Sequence, residues 1–316
     1  MSLDALAPSR LEAIEAELRR AIGSQRVHHA EYLARRGPAG PGEAHPLPPD
    51  YLRDYYAMLE YHLGWAGGAA GGKRIRPLLC LLTCEAAGGD WQQALPVAAA
   101  IELIHNFSLI HDDIEDNSPL RRGRATVWSQ WGQAQAINAG DAMFNLALLA
   151  AHRLTDLGLA PKVTLAALAE LNYTCLELTQ GQYLDMAFEQ RPTVTATEYL
   201  AMIEKKTAVL IAAATYLGAF VAGASPQLLD HYYAFGWNLG LAFQLQDDLL
   251  GIWGNPAVTG KSAATDLEKR KKSLPVVLGL ERSPAFAAAY GQPHIAGDSV
   301  AEMAALLERI GARAEG

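Results

Sequence analysis

The residues best suited to chemistry in this sequence are two groups of aspartates inside apolar stretches. Asp112, Asp113 and Asp116 end the run AAAIELIHNFSLI, and Asp247 and Asp248 lie within FQLQDDLL. Like charges on adjacent helical turns repel one another, so such groups are costly unless a cation neutralises them. Carboxylate oxygens suit Mg²⁺, which keeps several waters and also binds phosphate oxygens. Both groups therefore predict Mg²⁺ and a strongly anionic substrate.

The spacing of the first group indicates a helix. His105, Ser108, Asp112 and Asp116 would share one helical stripe with Asp113 beside it, so that the three carboxylates converge on one spot. An acidic helix end in solvent is the simpler alternative. We favour the metal site because the acids follow directly from an apolar run that should be buried.

Basic residues are grouped in four places of a chain whose formal net charge is −8. One such group would only indicate a solvated surface, but together they resemble phosphate clamps, since arginine binds phosphate through two parallel hydrogen bonds. The groups are Lys73, Arg74 and Arg76; Arg121, Arg122 and Arg124; Lys206; and Lys261 with Lys271. The acidic charge excludes a nucleic-acid surface, and the clamps predict two diphosphates, one held through Mg²⁺ and one directly.

Apolar residues recur at helical spacing in several segments, and none alternates as a strand would, so we predict an all-α protein. Residues 1–36 would form an N-terminal helical arm, residues 37–50 a Pro/Gly-rich connector, and residues 51–316 a catalytic body, all in one structural domain. A helix should begin at about Arg76, and Arg282 to Ser299 should form a surface loop before a final helix.

Composition also predicts where the chain resides. Thr207 to Ala224 is nearly long enough to span a bilayer, but its Ala and Gly content favours a buried helix, so we expect no integral membrane segment. Three cysteines make no disulfide framework and indicate a reducing compartment. The first residues lack the pattern of a signal peptide, and we predict a cytoplasmic protein.

Several motifs occur together in one order: GGKRIRP, LIHNFSLIHDDIED, LRRGRATVW, GQYLD, KKTA, FQLQDD and DLEKRKKSLP. In these the chain resembles the trans-isoprenyl diphosphate synthases, the polyprenyl synthetase family. The resemblance implies a single large bundle of long helices around a deep central cavity, the isoprenoid synthase fold, and a homodimer. It implies a prenyltransferase that condenses isopentenyl diphosphate with an allylic diphosphate, using about three Mg²⁺ ions, into a linear all-trans product.

The resemblance also implies roles for individual residues. The residues implied to bind metal are Asp112, Asp113, Asp116, Asp247 and Asp248. Of these, Asp112, Asp116 and Asp247 are implied to make the main contacts. Those implied to hold the allylic diphosphate are Arg121, Lys206, Lys261 and Lys271. Those implied to hold isopentenyl diphosphate are Lys73, Arg76, His105 and Arg122. Lys206, Thr207 and Gln244 would lie near the reacting carbon and steady positive charge.

Two details concern this chain in particular. The second aspartate motif of the family has a third aspartate where this sequence has Gly251, which weakens the expected metal binding or loop closure there. Phe107 lies five residues before Asp112, about 7.5 Å along a helix at 1.5 Å per residue, and Ser108 is small. This combination resembles geranylgeranyl diphosphate synthases, so we predict geranylgeranyl diphosphate as the product and farnesyl diphosphate next.

Three alternatives remain open. A class I terpene cyclase shares the aspartate-rich helix but would have no isopentenyl clamp such as Lys73 and Arg76. A metal phosphohydrolase would use the doublet His111-Asp112, but its other ligands are not at convincing positions. A non-catalytic regulatory subunit of a heteromeric synthase would keep the fold and lose the motif aspartates, which this sequence retains.

Overall fold

Helices form nearly all of the regular structure, so the predicted all-α class is confirmed. The computed structural model describes residues 3–35, 51–66, 72–254, 265–292 and 298–315. The helices of the first part of the chain are α1 (Leu3–Arg35), α2 (Arg53–His62), α3 (Ile75–Ala86), α4 (Leu95–Glu115), α5 (Val127–Trp131), α6 (Gln133–His152) and α7 (Pro161–Glu189). Those of the remainder are α8 (Ala196–Ile203), α9 (Val209–Val221), α10 (Pro226–Trp253), α11 (Thr265–Glu268), α12 (Leu274–Arg282), α13 (Pro284–Tyr290), α14 (Asp298–Arg309) and α15 (Ala312–Glu315).

Three shorter elements connect these helices. A 3-10 turn, Trp91–Ala94, precedes α4, and a π-helical turn, Glu204–Ala208, joins α8 to α9. Strands β1 (Leu120–Arg121) and β2 (Arg124–Ala125) form a small antiparallel hairpin after α4. The hairpin and the π-helical turn carry several of the predicted site residues.

The first of two compact units comprises residues 1–172 and 214–232. Its central helix is α4, which packs mainly against α6 and also against α1 and α3. The side chains of Ile101, Leu103 and Ile104 are completely buried. Because α4 is apolar around most of its circumference, other helices cover it on several sides. The aspartates lie at its C-terminal end.

The second unit comprises residues 173–213 and 233–316. In its core, α12 packs against α8, α13, α14 and α15. Tyr199, Leu267, Val277, Phe286 and Met303 are buried there. The one-domain scheme for residues 51–316 stays a prediction, and its connector, residues 37–50, lies outside the described residues.

The predicted surface loop from Arg282 to Ser299 is wrong in its first half, because Pro284–Tyr290 is a helix. Ser283 caps it by accepting a hydrogen bond from Phe286 N at 3.1 Å, and Pro284 occupies its first turn. Phe286 and Tyr290, one turn apart, are buried in the core of the unit. The helix is short, so its formation depends on this burial more than on a periodic pattern.

One described helical stretch, Trp91–Glu115, is long and apolar enough to cross a bilayer. Of its most apolar window, 67% is buried inside the protein, as is usual for a core helix. The segment that drew attention in the sequence, from Thr207 to Val221, is also mostly buried.

Candidate active site

The first aspartate group lies where α4 ends. Asp116 is the C-cap residue, and its N–H donates to Asp112 O at 2.8 Å. Asn117 adopts a left-handed conformation (φ 49°), and Ser118 N donates to Asp113 O at 2.9 Å. The chain therefore turns away directly after the acids. Asp112 is half-buried and Asp116 is exposed, one helical turn apart.

Asp113 has a different environment from its neighbours. Its side chain is buried, and both carboxylate oxygens accept hydrogen bonds from Arg121 Nε, at 2.9 and 3.0 Å. Burial raises the pKa of Asp113 to about 6, although Arg121 acts in the opposite direction. The predicted convergence of three carboxylates is therefore wrong, since adjacent helix positions point about 100° apart. No three His, Cys, Asp or Glu side chains of the described residues form a metal cluster by themselves.

The hairpin explains how LRRGR positions its arginines. Arg122 and Gly123 form a two-residue turn in which both have positive φ (52° and 75°), the geometry that matches the twist of a hairpin. Arg121 uses Nε for both carboxylate oxygens of Asp113, so this hydrogen bond leaves its terminal Nη groups unused. Arg124 instead donates to Ala66 O at 2.9 Å and stacks on the ring of Tyr61. Arg121 and Arg122 are thus available to a ligand, whereas Arg124 is a structural residue.

Arg74, in GGKRIRP, is also structural. Its buried guanidinium donates to Glu15 at 2.7 Å, to Glu102 at 2.9 Å and to Leu63 O at 3.0 Å. These bonds secure the loop just before α3, where Arg74 itself has a left-handed backbone (φ 51°). Counting Arg74 and Arg124 among the phosphate clamps was therefore wrong, because protein groups already neutralise or bind both side chains.

Lys73, just before α3, and Arg122, in the hairpin turn, are both exposed. A Cβ atom at Gly72 would lie 3.2 Å from Nη1 of Arg122. The glycine therefore permits the guanidinium to lie close to the loop. Within the first unit, the structure brings Arg122 against the segment that carries Lys73.

Arg76 and His105 are in contact, Nη1 to Nε2 at 3.2 Å. Burial and the neighbouring arginines, Arg76 first, hold the pKa of His105 well below its usual range. His62, which sequence reasoning missed, belongs to the same environment: its buried Nε2 has no hydrogen-bond partner in the described part of the chain. Burial, followed by the charges of Arg121 and Arg122, lowers the pKa of His62 to about 3.

The low pKa of His62 predicts a loss of stability in acid. Below about pH 6.5 the unfolded chain binds a proton that folded His62 does not, so the free energy of unfolding should decline from there toward pH 3. His62→Asn is expected to flatten part of this decline, and His105, whose pKa is also lowered, contributes in the same direction. Urea unfolding followed by circular dichroism between pH 7 and 4 measures it. His152→Asn, at an exposed position, is the control, and a His62→Asn profile as steep as the parent profile would contradict the assignment.

Phe107 and Ser108 lie on α4 before the acids. The Phe107 ring is half-buried and contacts the rings of His111 and Phe144, with centroids 5.3 and 5.6 Å away. Ser108 Oγ donates to His105 O at 2.9 Å. Phe144 on α6 was not predicted, because nothing in its local sequence distinguishes it from other apolar residues of that helix.

In the second unit, the π-helical turn carries Lys206 and Thr207. Lys206 Nζ donates to Asp185, the last residue of GQYLD. A Cβ atom at Gly181, in the same motif, would lie 2.7 Å from Lys206 Cα, and one at Gly240 would lie 2.5 Å from Ala208 Cα. These two glycines permit α7 and α10 to approach the backbone of the turn. The motif GQYLD, to which the sequence assigned no role, therefore positions Lys206.

Thr207, Gln244 and Asp248 form a chain of hydrogen bonds. Thr207 Oγ1 donates to Gln244 Oε1 at 2.8 Å, and Gln244 Nε2 donates to Asp248 Oδ1 at 3.0 Å. The other oxygen of Asp248 accepts from the Tyr199 hydroxyl and from Leu274 N. Asp248 is only 1% exposed, whereas Asp247 is exposed. Only Asp247 of this pair is accessible to a metal ion.

A pocket lies within the second unit, and its lining includes Asp185, Tyr199, Lys206, Gln244, Asp248 and Lys271. Burial acts to lower the pKa of Lys271, but nearby carboxylates, Asp248 and Asp266 first, raise it above its usual value. Lys271 is therefore charged at neutral pH. Lys261 lies outside the described residues, so its predicted role stays a prediction.

Comparisons with known proteins identify the family of this chain. A protein-family model described as polyprenyl synthetase matches residues 56–307. A (2E,6E)-farnesyl diphosphate synthase of Mycobacterium bovis is 47% identical over 225 residues, 69% of this chain and 61% of that protein. A geranylgeranyl diphosphate synthase of Mycobacterium tuberculosis is 43% identical over 263 residues, 80% of this chain and 74% of that protein.

One solved structure is similar over the whole chain. It is the geranylgeranyl pyrophosphate synthase of Corynebacterium glutamicum complexed with isoprenyl diphosphate and magnesium, with a TM-score of 0.79 and 29% identity. The alignment covers 100% of this chain and 89% of that one. The chain spans less than two thirds of the length of the farnesyl diphosphate synthase relative, at 61%.

Proposed function

The chain belongs to the polyprenyl synthetase family, and from this premise we propose that it is a trans-prenyltransferase. Its reaction is the head-to-tail condensation of isopentenyl diphosphate with an allylic diphosphate to a linear all-trans prenyl diphosphate. The observation that carries the proposal is the end of α4, where accessible Asp112 and Asp116 accompany Arg121, an arginine oriented by a buried carboxylate. At this end of α4, carboxylates that can bind a metal ion and a guanidinium that can bind phosphate lie beside the apolar part of the helix.

The donors fit Mg²⁺. Asp112 and Asp116 offer carboxylate oxygens one turn apart, and Asp247 offers another in the second unit. Mg²⁺ is usually bound by one or two carboxylates, several waters and substrate phosphates, which is the kind of donor set that these residues offer. Asp113 and Asp248 are less suited, since Arg121 and Tyr199 respectively engage them. When bound, Mg²⁺ would neutralise charge that develops on the leaving diphosphate.

For the allylic diphosphate we propose cationic ligands in each unit by itself. In the first unit, Arg121 offers its Nη groups because Asp113 holds its Nε. In the second unit, Lys206 and Lys271 line the pocket and offer ammonium groups. These charges favour departure of the diphosphate, which leaves an allylic carbocation. The hydroxyl oxygen of Thr207, held by Gln244, faces this developing positive charge with its lone pairs. Apolar walls exclude water, which would otherwise capture the cation.

For isopentenyl diphosphate we propose Lys73, Arg76, His105 and Arg122 as ligands. The buried Nε of Arg76 and the buried Nε2 of His62 have no partner among the described residues, which supports a site that receives an anion. The arginines fix the diphosphate so that the double bond attacks the allylic carbon. The departing diphosphate then accepts the proton that the product loses.

The direct test is elongation. The protein is incubated with Mg²⁺, isopentenyl diphosphate and one of three primers, dimethylallyl, geranyl or farnesyl diphosphate, and the product is identified by chromatography and mass. We expect linear prenyl diphosphates. Cyclic hydrocarbon would indicate a terpene cyclase instead, and no elongation of any primer would contradict the proposal.

The homodimeric state and the cytoplasmic location stay predictions. Light scattering during size-exclusion chromatography tests the homodimeric state.

We propose geranylgeranyl diphosphate as the main product, with Phe107 and Ser108 setting the chain length. Phe107→Ala is expected to lengthen the product by at least one isoprene unit, because it removes a half-buried ring one and a half turns before Asp112. Ser108→Phe should act in the opposite direction. Product analysis with farnesyl diphosphate as primer measures both. An unchanged distribution for Phe107→Ala would assign the ring to core packing with Phe144.

A further inference from the structure

Gly251 occupies the position where the family motif has its third aspartate, and the structure shows what lies in that space. A Cβ atom at Gly251 would be 2.5 Å from Cγ and 2.9 Å from Oδ1 of Asp266. Real Cβ atoms do not approach other atoms so closely. A side chain at position 251 and the carboxylate of Asp266 therefore compete for the same space.

Helix geometry relates this carboxylate to Asp247. Residues 247 and 251 are separated by four positions of α10, so they lie on the same face one turn apart. The carboxylate of Asp266, which covers Gly251, is consequently one helical turn from Asp247. An aspartate side chain at position 251 of α10 would lie in the same region.

Asp266 is held in place by the turn that contains it. Lys271 N donates to Asp266 O at 2.9 Å, Arg270 N donates to Leu267 O at 3.2 Å, and Arg270 has a left-handed backbone (φ 56°). Leu267 is completely buried and anchors this turn in the core of the second unit. The carboxylate against Gly251 and the Lys271 ammonium are therefore carried by one anchored segment.

We propose that Asp266 takes the place of the missing third carboxylate: it is a positioning residue that keeps negative charge beside Asp247. The inference rests on the proposed function, because it assumes that Asp247 and Lys271 act on a metal-bound diphosphate. Mg²⁺ keeps several waters, and carboxylates outside its direct ligands accept hydrogen bonds from them. Gly251 then does not weaken the site around Asp247, since Asp266 on α11 supplies the negative charge.

The first test separates charge from shape. Asp266→Asn keeps the shape of the side chain and removes its charge, and Glu268→Gln removes the same charge from an exposed position of the same helix. Calorimetric titration with inorganic pyrophosphate at fixed Mg²⁺ should show about 10- to 100-fold weaker binding for Asp266→Asn, no change for Glu268→Gln, and an unchanged Tm for both. Parent-like binding by Asp266→Asn would overturn the inference. Absence of binding by the parent protein would contradict the proposed function itself.

The second test moves the carboxylate. Gly251→Asp is expected to lower Tm by several degrees and to weaken pyrophosphate binding, because two side chains and two like charges then share one space. The double variant Gly251→Asp, Asp266→Gly should recover Tm and Mg²⁺-dependent binding relative to either single variant. If the two changes are simply additive in both measurements, the residues do not share a role and the inference is wrong.

Discussion

Asp112→Asn is expected to lower kcat/KM about a thousandfold, the effect of losing about 4 kcal/mol of metal-dependent charge stabilisation in the transition state. The amide keeps the size of the side chain but is a poor ligand for Mg²⁺. Because Asp112 is half-buried on the last turn of α4, the fold should be retained. Initial rates with labelled isopentenyl diphosphate and farnesyl diphosphate at saturating Mg²⁺ measure the change.

The control for this variant is Glu115→Gln, which removes one negative charge from an exposed position of the same helical turn. Its rate should remain close to the parent rate. An Asp112→Asn enzyme within tenfold of the parent would contradict a metal-binding role for Asp112. A loss of equal size in Glu115→Gln would instead indicate a general effect of charge at this end of α4.

Asp248→Ala is expected to lower the free energy of unfolding by about 3 kcal/mol or more, because it leaves two buried donors and one half-buried donor without their acceptor. Those donors are the Tyr199 hydroxyl, Gln244 Nε2 and Leu274 N. Tyr199 is 1% exposed, so its hydroxyl cannot turn to water without disrupting the core. Urea unfolding at neutral pH without Mg²⁺ measures the loss.

Asp247→Ala is the matched control, one residue away and exposed. Its stability should lie within about 0.5 kcal/mol of the parent, while its Mg²⁺-dependent binding of pyrophosphate should be weakened. The reverse result, a stable Asp248→Ala protein with impaired metal binding, would show that Asp248 is a metal ligand and that its hydrogen bonds contribute little to the fold.

The all-α class and most helices could be predicted because apolar periodicity is a local property of the sequence. Helix α13 could not, since its short apolar pattern is decided by a cap at Ser283 and by burial of Phe286. The π-helical turn was equally unpredictable. It depends on close backbone approach at Gly181 and Gly240, which are distant in sequence from Lys206.

The candidate site divides in the same way. The sequence by itself determined which residue types are present and at what spacing, and this was enough to identify acids for Mg²⁺ and cations for diphosphate. The family resemblance already separated Asp112, Asp116 and Asp247 from Asp113 and Asp248, but the sequence offered no physical reason for the difference. Tertiary structure alone assigned Asp113 to Arg121 and Asp248 to Tyr199, leaving Asp112 and Asp247 accessible. It also placed Asp266 against Gly251. The reason is physical: a carboxylate's role depends on its burial and on the donors around it, and those donors come from distant parts of the chain.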